Sequence, residues 1–180
     1  MKKELEQLAE MFKKTAADLL KKDGRLIHVT YFLHGKNLIA VPELTMMFNN
    51  SKDVYAQLMR SIVKQMQPDA IITVDEVYCK ILKEGETYDK SKSVEEQGGE
   101  EQVMVCIETK DLHLIHRAKM IRKDSYTNPE LGEWEVEEFD KNRYTGRFAD
   151  FYGTSTKLDL GIDLPPHEPV KIKDIPKIDA

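Results

Sequence analysis

Two strand-like runs, at residues 70–82 and 102–110, constrain the fold of this chain more than any other feature. Both are rich in apolar and β-branched residues, which is typical of buried strands, and a charged segment separates them. Each run also carries carboxylates that a buried sheet would exclude: Asp75 and Glu76 in the first run and Glu108 in the second. These side chains either line a polar sheet face or mark a functional site, and the sequence leaves both alternatives open.

Length and composition describe a small globular protein. A chain of 180 residues fits one domain, or one domain with a tail, and its residues are 41% hydrophobic and 33% charged. The formal net charge of -5 argues against a general affinity for nucleic acid, because phosphate binding requires a positive surface. No apolar run reaches the length of about 18 residues that a membrane span needs, and residues 1–22 lack the apolar core of a secretory signal. We therefore expect a cytoplasmic protein without membrane contact.

The spacing of apolar residues predicts two amphipathic helices. The first occupies the N-terminal segment, where apolar residues recur at spacings of three and four, and Gly24 is placed to end it. The second begins at Asn50 or Ser51, which can cap a helix, and ends before Pro68.

Strand-like segments follow each helix, and several of them are joined by short connections. They are residues 25–33, 38–41, 70–82, 102–109 and 112–122, and a further segment lies around residues 133–139. The Lys110-Asp111 pair is short enough for a hairpin, and short connections favour antiparallel neighbours. The sequence therefore predicts an α+β fold: a two-layer sandwich with a mostly antiparallel sheet of about five strands, in the order α-β-β-α-β-β-β, and both helices on one face.

We expect residues 1–153 to form this single domain. Within it, residues 83–101 contain ten charged side chains and hardly any apolar ones, which predicts a mobile loop. The aromatic and arginine cluster from Arg143 to Tyr152 is expected to pack a terminal segment against the core, and the alternative is that it stacks on nucleic acid bases or on a peptide. Four prolines in residues 154–180 exclude a regular helix and predict an extended C-terminal tail that lies along the domain or along a partner.

The sharpest enzymatic hypothesis uses four candidate catalytic residues: Asp75, Glu76, Glu108 and Lys110. Their order resembles the PD-(D/E)xK nucleases, in which carboxylates on neighbouring strands hold a divalent metal and a lysine stands beside it. The resemblance implies a phosphodiester hydrolase with Mg²⁺ or Mn²⁺ held by Glu76 and Glu108, provided that these two lie opposite each other. The alternative is that all these charges face solvent from an antiparallel sheet, with Lys110 in a hairpin turn.

Histidine and cysteine residues offer little further chemistry. His113 and His116 are separated by an odd spacing and point to opposite faces of their strand, so they cannot bind one ion together. We expect solvated or hydrogen-bonded histidines, and reduced, buried thiols at Cys79 and Cys106. Neither a nucleophile elbow nor a glycine-rich phosphate loop is present, and we expect no cofactor outside the hydrolase hypothesis.

The order of helices and strands resembles that of roadblock, longin and profilin-like domains. Residues 69–78 and 103–111 also resemble segments of uncharacterised bacterial and phage proteins, which implies a small cytoplasmic protein of such origin and transfers no catalytic residue. Because no catalytic constellation is complete, we predict a non-enzymatic protein-interaction or regulatory domain that binds a protein partner or forms a homo-oligomer. The alternative is the metal-dependent phosphodiester hydrolase.

Overall fold

The structure, a computed structural model, describes residues 2–41, 52–80, 85–87, 89, 91–124, 127–140 and 151–152. Its helices are α1 (Lys2–Asp23) and α2 (Lys52–Met66). Its strands are β1 (Val29–His34), β2 (Asn37–Val41), β3 (Ala70–Cys79), β4 (Glu100–Glu108), β5 (Leu112–Ile121) and β6 (Glu130–Asp140). Neither helix of the described part has the combination of length and apolar character that crossing a bilayer requires.

The described strands form one open, fully antiparallel sheet. Their spatial order is β2-β1-β3-β4-β5-β6, so β2 and β6 are the edges. The predicted Lys110-Asp111 hairpin is confirmed, and Thr109 stabilises it: its hydroxyl accepts hydrogen bonds from the Asp111 and Leu112 amides at 3.2 and 3.0 Å. The α+β class and the antiparallel sheet are confirmed, but the sheet has six strands rather than about five.

The two helices pack on opposite faces of the sheet, so the predicted two-layer arrangement is wrong. Ile71 belongs to a buried cluster with α2, whereas the next residue, Ile72, belongs to a cluster with α1. Successive side chains of a strand point to opposite faces, so β3 is covered on both sides. The physical reason lies in its sequence, because Ala70, Ile71 and Ile72 form an uninterrupted apolar run, which is typical of a strand buried on both faces.

The larger cluster lies between α1 and the sheet. The side chains of α1 that it buries are Leu5, Ala9, Phe12, Ala16 and Leu20. Full burial of each large apolar side chain contributes roughly 1.5–3 kcal/mol, so this face holds α1 in place. The helix ends as predicted: Gly24 adopts a φ of 73°, and its amide donates to the Leu20 carbonyl at 2.9 Å.

Local hydrogen bonds organise the described part of the charged loop. The Asp89 carboxylate accepts hydrogen bonds from the amide and the hydroxyl of Ser91 at 2.9 and 2.6 Å. Glu100 and Glu101, the last residues of the predicted loop, are instead paired in β4. The mobility of this loop stays a prediction, and the predicted tail at residues 154–180 lies outside the described residues.

Candidate functional site

The register of β3 and β4 separates the residues of the hydrolase hypothesis. Cys79 pairs with Glu100, and from there the ladder places Glu76 across from Val103 and Glu108 across from Ile71. Glu76 and Glu108 therefore lie five positions apart along the ladder, about 17 Å at ~3.3 Å per residue, and on opposite faces. The condition of the hydrolase hypothesis, that Glu76 lies opposite Glu108, is therefore not met, because the long β3–β4 connection lets the strands pair in a register that a symmetrical loop would not give.

Asp75 and Lys110 do not join either carboxylate. Asp75 lies on the same face as Glu108 but pairs with Met104, four positions along β4 from Glu108. Lys110 lies in the exposed β4–β5 turn. Within the described residues, no three His, Cys, Asp or Glu side chains are arranged to hold a metal ion.

Glu76 instead stabilises the entry to β1. Its carboxylate accepts a hydrogen bond from the Leu26 amide. Partial burial raises the pKa of Glu76, and the charge of nearby Glu101 raises it further, whereas the bond from Leu26 opposes the shift. Glu101 is itself held by Arg122 through two hydrogen bonds of 2.8 and 2.9 Å. These contacts give Glu76 a structural role at the end of the sheet.

Glu108 lies in a buried polar pair on the α2 face. Its side chain is 3.9 Å from His113 Nδ1, and the residues are 6% and 4% exposed. Burial lowers the pKa of His113 to about 4, so the imidazole is neutral at pH 7. Tyr152 covers the pair: its amide donates to Glu108 at 3.4 Å, and its hydroxyl donates to the Pro68 carbonyl at 3.0 Å. Together with buried Phe151, this confirms the predicted packing at residues 151–152.

A relay of three polar side chains joins the β1 region to β3 on the face of the sheet that α2 covers. His28 Nδ1 is 2.8 Å from an Asp75 carboxylate oxygen, and His28 Nε2 is 3.3 Å from the Thr30 hydroxyl. This connectivity is that of a hydroxyl nucleophile with its base and orienting carboxylate. However, Thr30 is 0% exposed, so no substrate can reach its oxygen in this conformation. The relay acts here as a cross-strand polar contact.

The thiols do not supply a nucleophile either. Burial raises the pKa of Cys106 to about 12, far above the value at which a thiolate forms near neutral pH. Both cysteines are free, and the register places Cys106 across from Thr73 and Cys79 across from Glu100. The thiols are therefore distant along the ladder and form no disulfide, as expected, but both residues are partly exposed, so the expectation that they are buried is wrong.

A cleft opens on the face of the sheet that α1 covers, between α1 and strands β5 and β6. Its volume is about 560 Å³, and it is lined by Lys3, Glu6, Gln7, Glu10, His116 and Val136. His116 is only 4% exposed, and neither ring nitrogen has a hydrogen-bond partner within the described residues. Burial and the nearby charge of Lys13 lower the pKa of His116, which the charges of Glu10 and Glu6 oppose. The expected solvated or hydrogen-bonded histidine is therefore not found at this position.

The β6 edge is strongly acidic. The eleven-residue strand has the sequence ELGEWEVEEFD, with six acidic residues and no basic one. Arg117 on β5 contacts Glu135 at 2.9 Å and also pairs with Glu137, and Lys2 of α1 contacts Glu138 at 2.7 Å. Val136 is 55% exposed between them. In the described part of the chain, β6 pairs with β5 alone.

Comparison with known proteins adds one match. The sequence model of the family described as bacteriophage lambda protein ea47 matches residues 1–156. The chain belongs to this ea47 family. No curated protein and no solved structure matches the chain, so the resemblance to roadblock, longin and profilin-like domains gains no support. The ea47 match is consistent with the expected resemblance to uncharacterised bacterial and phage proteins, and its description names no activity.

Sequence reasoning missed the two most distinctive sites of this ea47-family protein. The His116 cleft needs α1 to pass over β5, and nothing in the spacing of the histidines indicates that crossing. The pairing of His28 with Asp75 joins residues 47 positions apart and depends on the β1–β3 register. The acidic β6 edge did have a signal, since the density of glutamates in residues 130–140 is visible in the sequence.

Proposed function

We propose that this phage protein is a non-catalytic protein-interaction domain, and that its β6 edge binds a basic, extended segment of a protein partner. The observation that carries the proposal is the acidic strand at the edge of the described sheet: six carboxylates and no basic residue over eleven positions. An edge strand presents backbone donors and acceptors that an added strand can pair with, and side chains on the added strand then provide specificity.

Charge decides the kind of partner. A second copy of β6 paired with this one would bring carboxylates opposite carboxylates, which is destabilising in a sheet. A segment with alternating lysine or arginine residues would instead place opposite charges across the new ladder. A basic partner segment therefore fits this edge better than self-association through it.

A protective role of the same charges is the competing explanation. Charged side chains on an edge strand also prevent unwanted pairing with other chains. That explanation predicts that β6 rejects every added strand, whereas an interaction site accepts a basic one. The hydrolase alternative has less support, because Glu76 and Glu108 lie on opposite faces.

A synthetic peptide of about eight residues with alternating lysine and valine tests the proposal. We expect it to shift the backbone amide NMR signals of β6 and β5 in the full chain, and salt to weaken its binding. A peptide with glutamate in place of lysine is the matched control and should not bind.

Two protein variants separate edge binding from general charge attraction. Glu133→Lys reverses a charge on β6, and Glu95→Lys makes the same change in the exposed loop far along the chain from β6. We expect the first to weaken peptide binding by about two- to fivefold, as for a charge at an interface rim, and the second to have little effect. Equal effects of the two variants, or peptide shifts outside β5 and β6, would contradict the proposal.

A further inference from the structure

The floor of the α1 cleft holds a hydrogen-bond acceptor that the described part of the protein does not use. His116 is neutral, because burial and Lys13 lower its pKa, so one ring nitrogen keeps a lone pair and the other carries a proton. Neither nitrogen has a hydrogen-bond partner within the described ranges, even though the residue is buried and only 4% exposed. Burying such a group without a partner is unfavourable, and this marks the position as one that a ligand would complete.

Carboxylates at the rim of the cleft are further hydrogen-bond acceptors, and they lie apart from the His116 ring. Glu6 and Glu10 are one helical turn apart on α1, and Gln7 lies between them. The cation of Lys3 lies on the same rim, and Lys13 contacts the Glu10 carboxylate at 2.6 Å. The cleft thus combines a neutral acceptor at its floor with carboxylates at its rim, in a volume of about 560 Å³.

We propose that this cleft binds the guanidinium group of an arginine carried by the partner segment that docks on β6, an inference that rests on the proposed function. Both ring nitrogens of His116 are shielded from solvent in this conformation, so a ligand reaches one of them only when the ring turns toward the cleft. A guanidinium is a planar cation with five N–H donors and no acceptor, so it can then donate to His116 while its charge faces Glu6 and Glu10. A metal ion would need several ligands around one point, an arrangement absent from the described residues. An ammonium group is a compact charge and spans separated acceptors less well.

The position of the cleft against β6 supports this source of the guanidinium. Val136 lines the cleft and is the β6 residue that pairs with His116 on β5. A strand added to β6 would place one residue opposite Val136, two strand spacings or about 10 Å from His116. A long side chain at that position can lean over Val136 and reach into the cleft. This geometry assigns the arginine to one position of the docked segment.

The first test uses methylguanidinium chloride as the probe, with methylammonium chloride at the same concentration as the control. We expect methylguanidinium to shift the ring signals of His116 and the amide signals of α1 around Glu6, and methylammonium to shift them far less. Glu6→Gln should reduce the response to methylguanidinium, whereas Glu95→Gln, in the exposed loop, should leave it unchanged. Equal responses to the two salts overturn the proposal.

The second test compares two basic peptides that differ only at the residue placed opposite Val136. We expect the arginine peptide to bind about tenfold more tightly than the lysine peptide, and His116→Phe to abolish this preference. A thermal melt tests whether His116→Phe is folded. If it is not, Glu6→Gln is used instead, and it should reduce the preference for the arginine peptide.

The outcomes separate the two proposals. Equal binding of both peptides at β6 overturns the arginine cleft and leaves the interaction function standing. Methylguanidinium binding without any peptide binding overturns the interaction function, and with it the partner arginine.

Discussion

Replacing His113 by glutamine should remove a large part of the pH dependence of stability between pH 6.5 and pH 4. Burial lowers the pKa of His113 to about 4 in the folded protein, whereas an unfolded chain has the ordinary value of about 6.5. As the pH falls through this window, the unfolded state takes up a proton that the folded state does not, so the free energy of unfolding decreases. At about 1.36 kcal/mol per pKa unit, the loss attributable to His113 is about 3 kcal/mol.

Urea unfolding at several pH values, followed by the fluorescence of Trp134, measures this loss. Trp134 is the single tryptophan of the chain and packs against the α1 core. His113→Gln should retain the pH dependence of the other groups, including His116, and lose the His113 share. His34→Gln, at an exposed position, is the matched control and should behave like the wild type. If the wild type and His113→Gln lose the same free energy between pH 6.5 and pH 4, the reasoning about His113 is refuted.

Two further perturbations test the end of α1 and the reactivity of the thiols. Gly24→Ala should cost about 1–3 kcal/mol of unfolding free energy in urea, because φ is +73° and the new Cβ would lie 2.6 Å from the Asn128 side chain. Gly35→Ala, with φ of +60° and open space around it, should cost less, and an equal cost would show that the contact with Asn128 is unimportant. Cys106, with a pKa of about 12, should be about one ten-thousandth thiolate at pH 8 and resist iodoacetamide until the protein unfolds, a result that mass spectrometry of the native protein checks. Rapid alkylation of Cys106 in the folded state would contradict the raised pKa of its thiol.

Much of the fold could be predicted from local patterns. The apolar spacing of α1, the glycine that ends it and the Lys110-Asp111 hairpin are local signals, and the structure has all three. The face that each helix covers is not a local property. The apolar run from Ala70 to Ile72 indicates a strand that is buried on both faces, with one helix on each side. The carboxylates that follow this run instead suggest a sheet with one polar face, and the structure agrees with the apolar run.

The candidate site was less predictable, for a reason that the carboxylates illustrate. The sequence marks Glu76 and Glu108 as unusual in strands, but their separation follows from a pairing that begins at Cys79 and Glu100. A shift of one residue in that pairing would move every side chain of one strand relative to its neighbours. A long polar connection leaves this choice to the packing of the strands against the helices.

The sequence by itself determined which segments become helices and strands, because those choices follow from apolar period, caps and turn residues within a few positions. It also determined the acidic character of β6. Only the tertiary structure decided that α1 and α2 cover opposite faces, that Glu76 and Glu108 are apart, and that His116 lies buried beneath α1. These outcomes depend on contacts between residues far apart in the chain, where burial of the whole apolar surface selects one register and one helix placement.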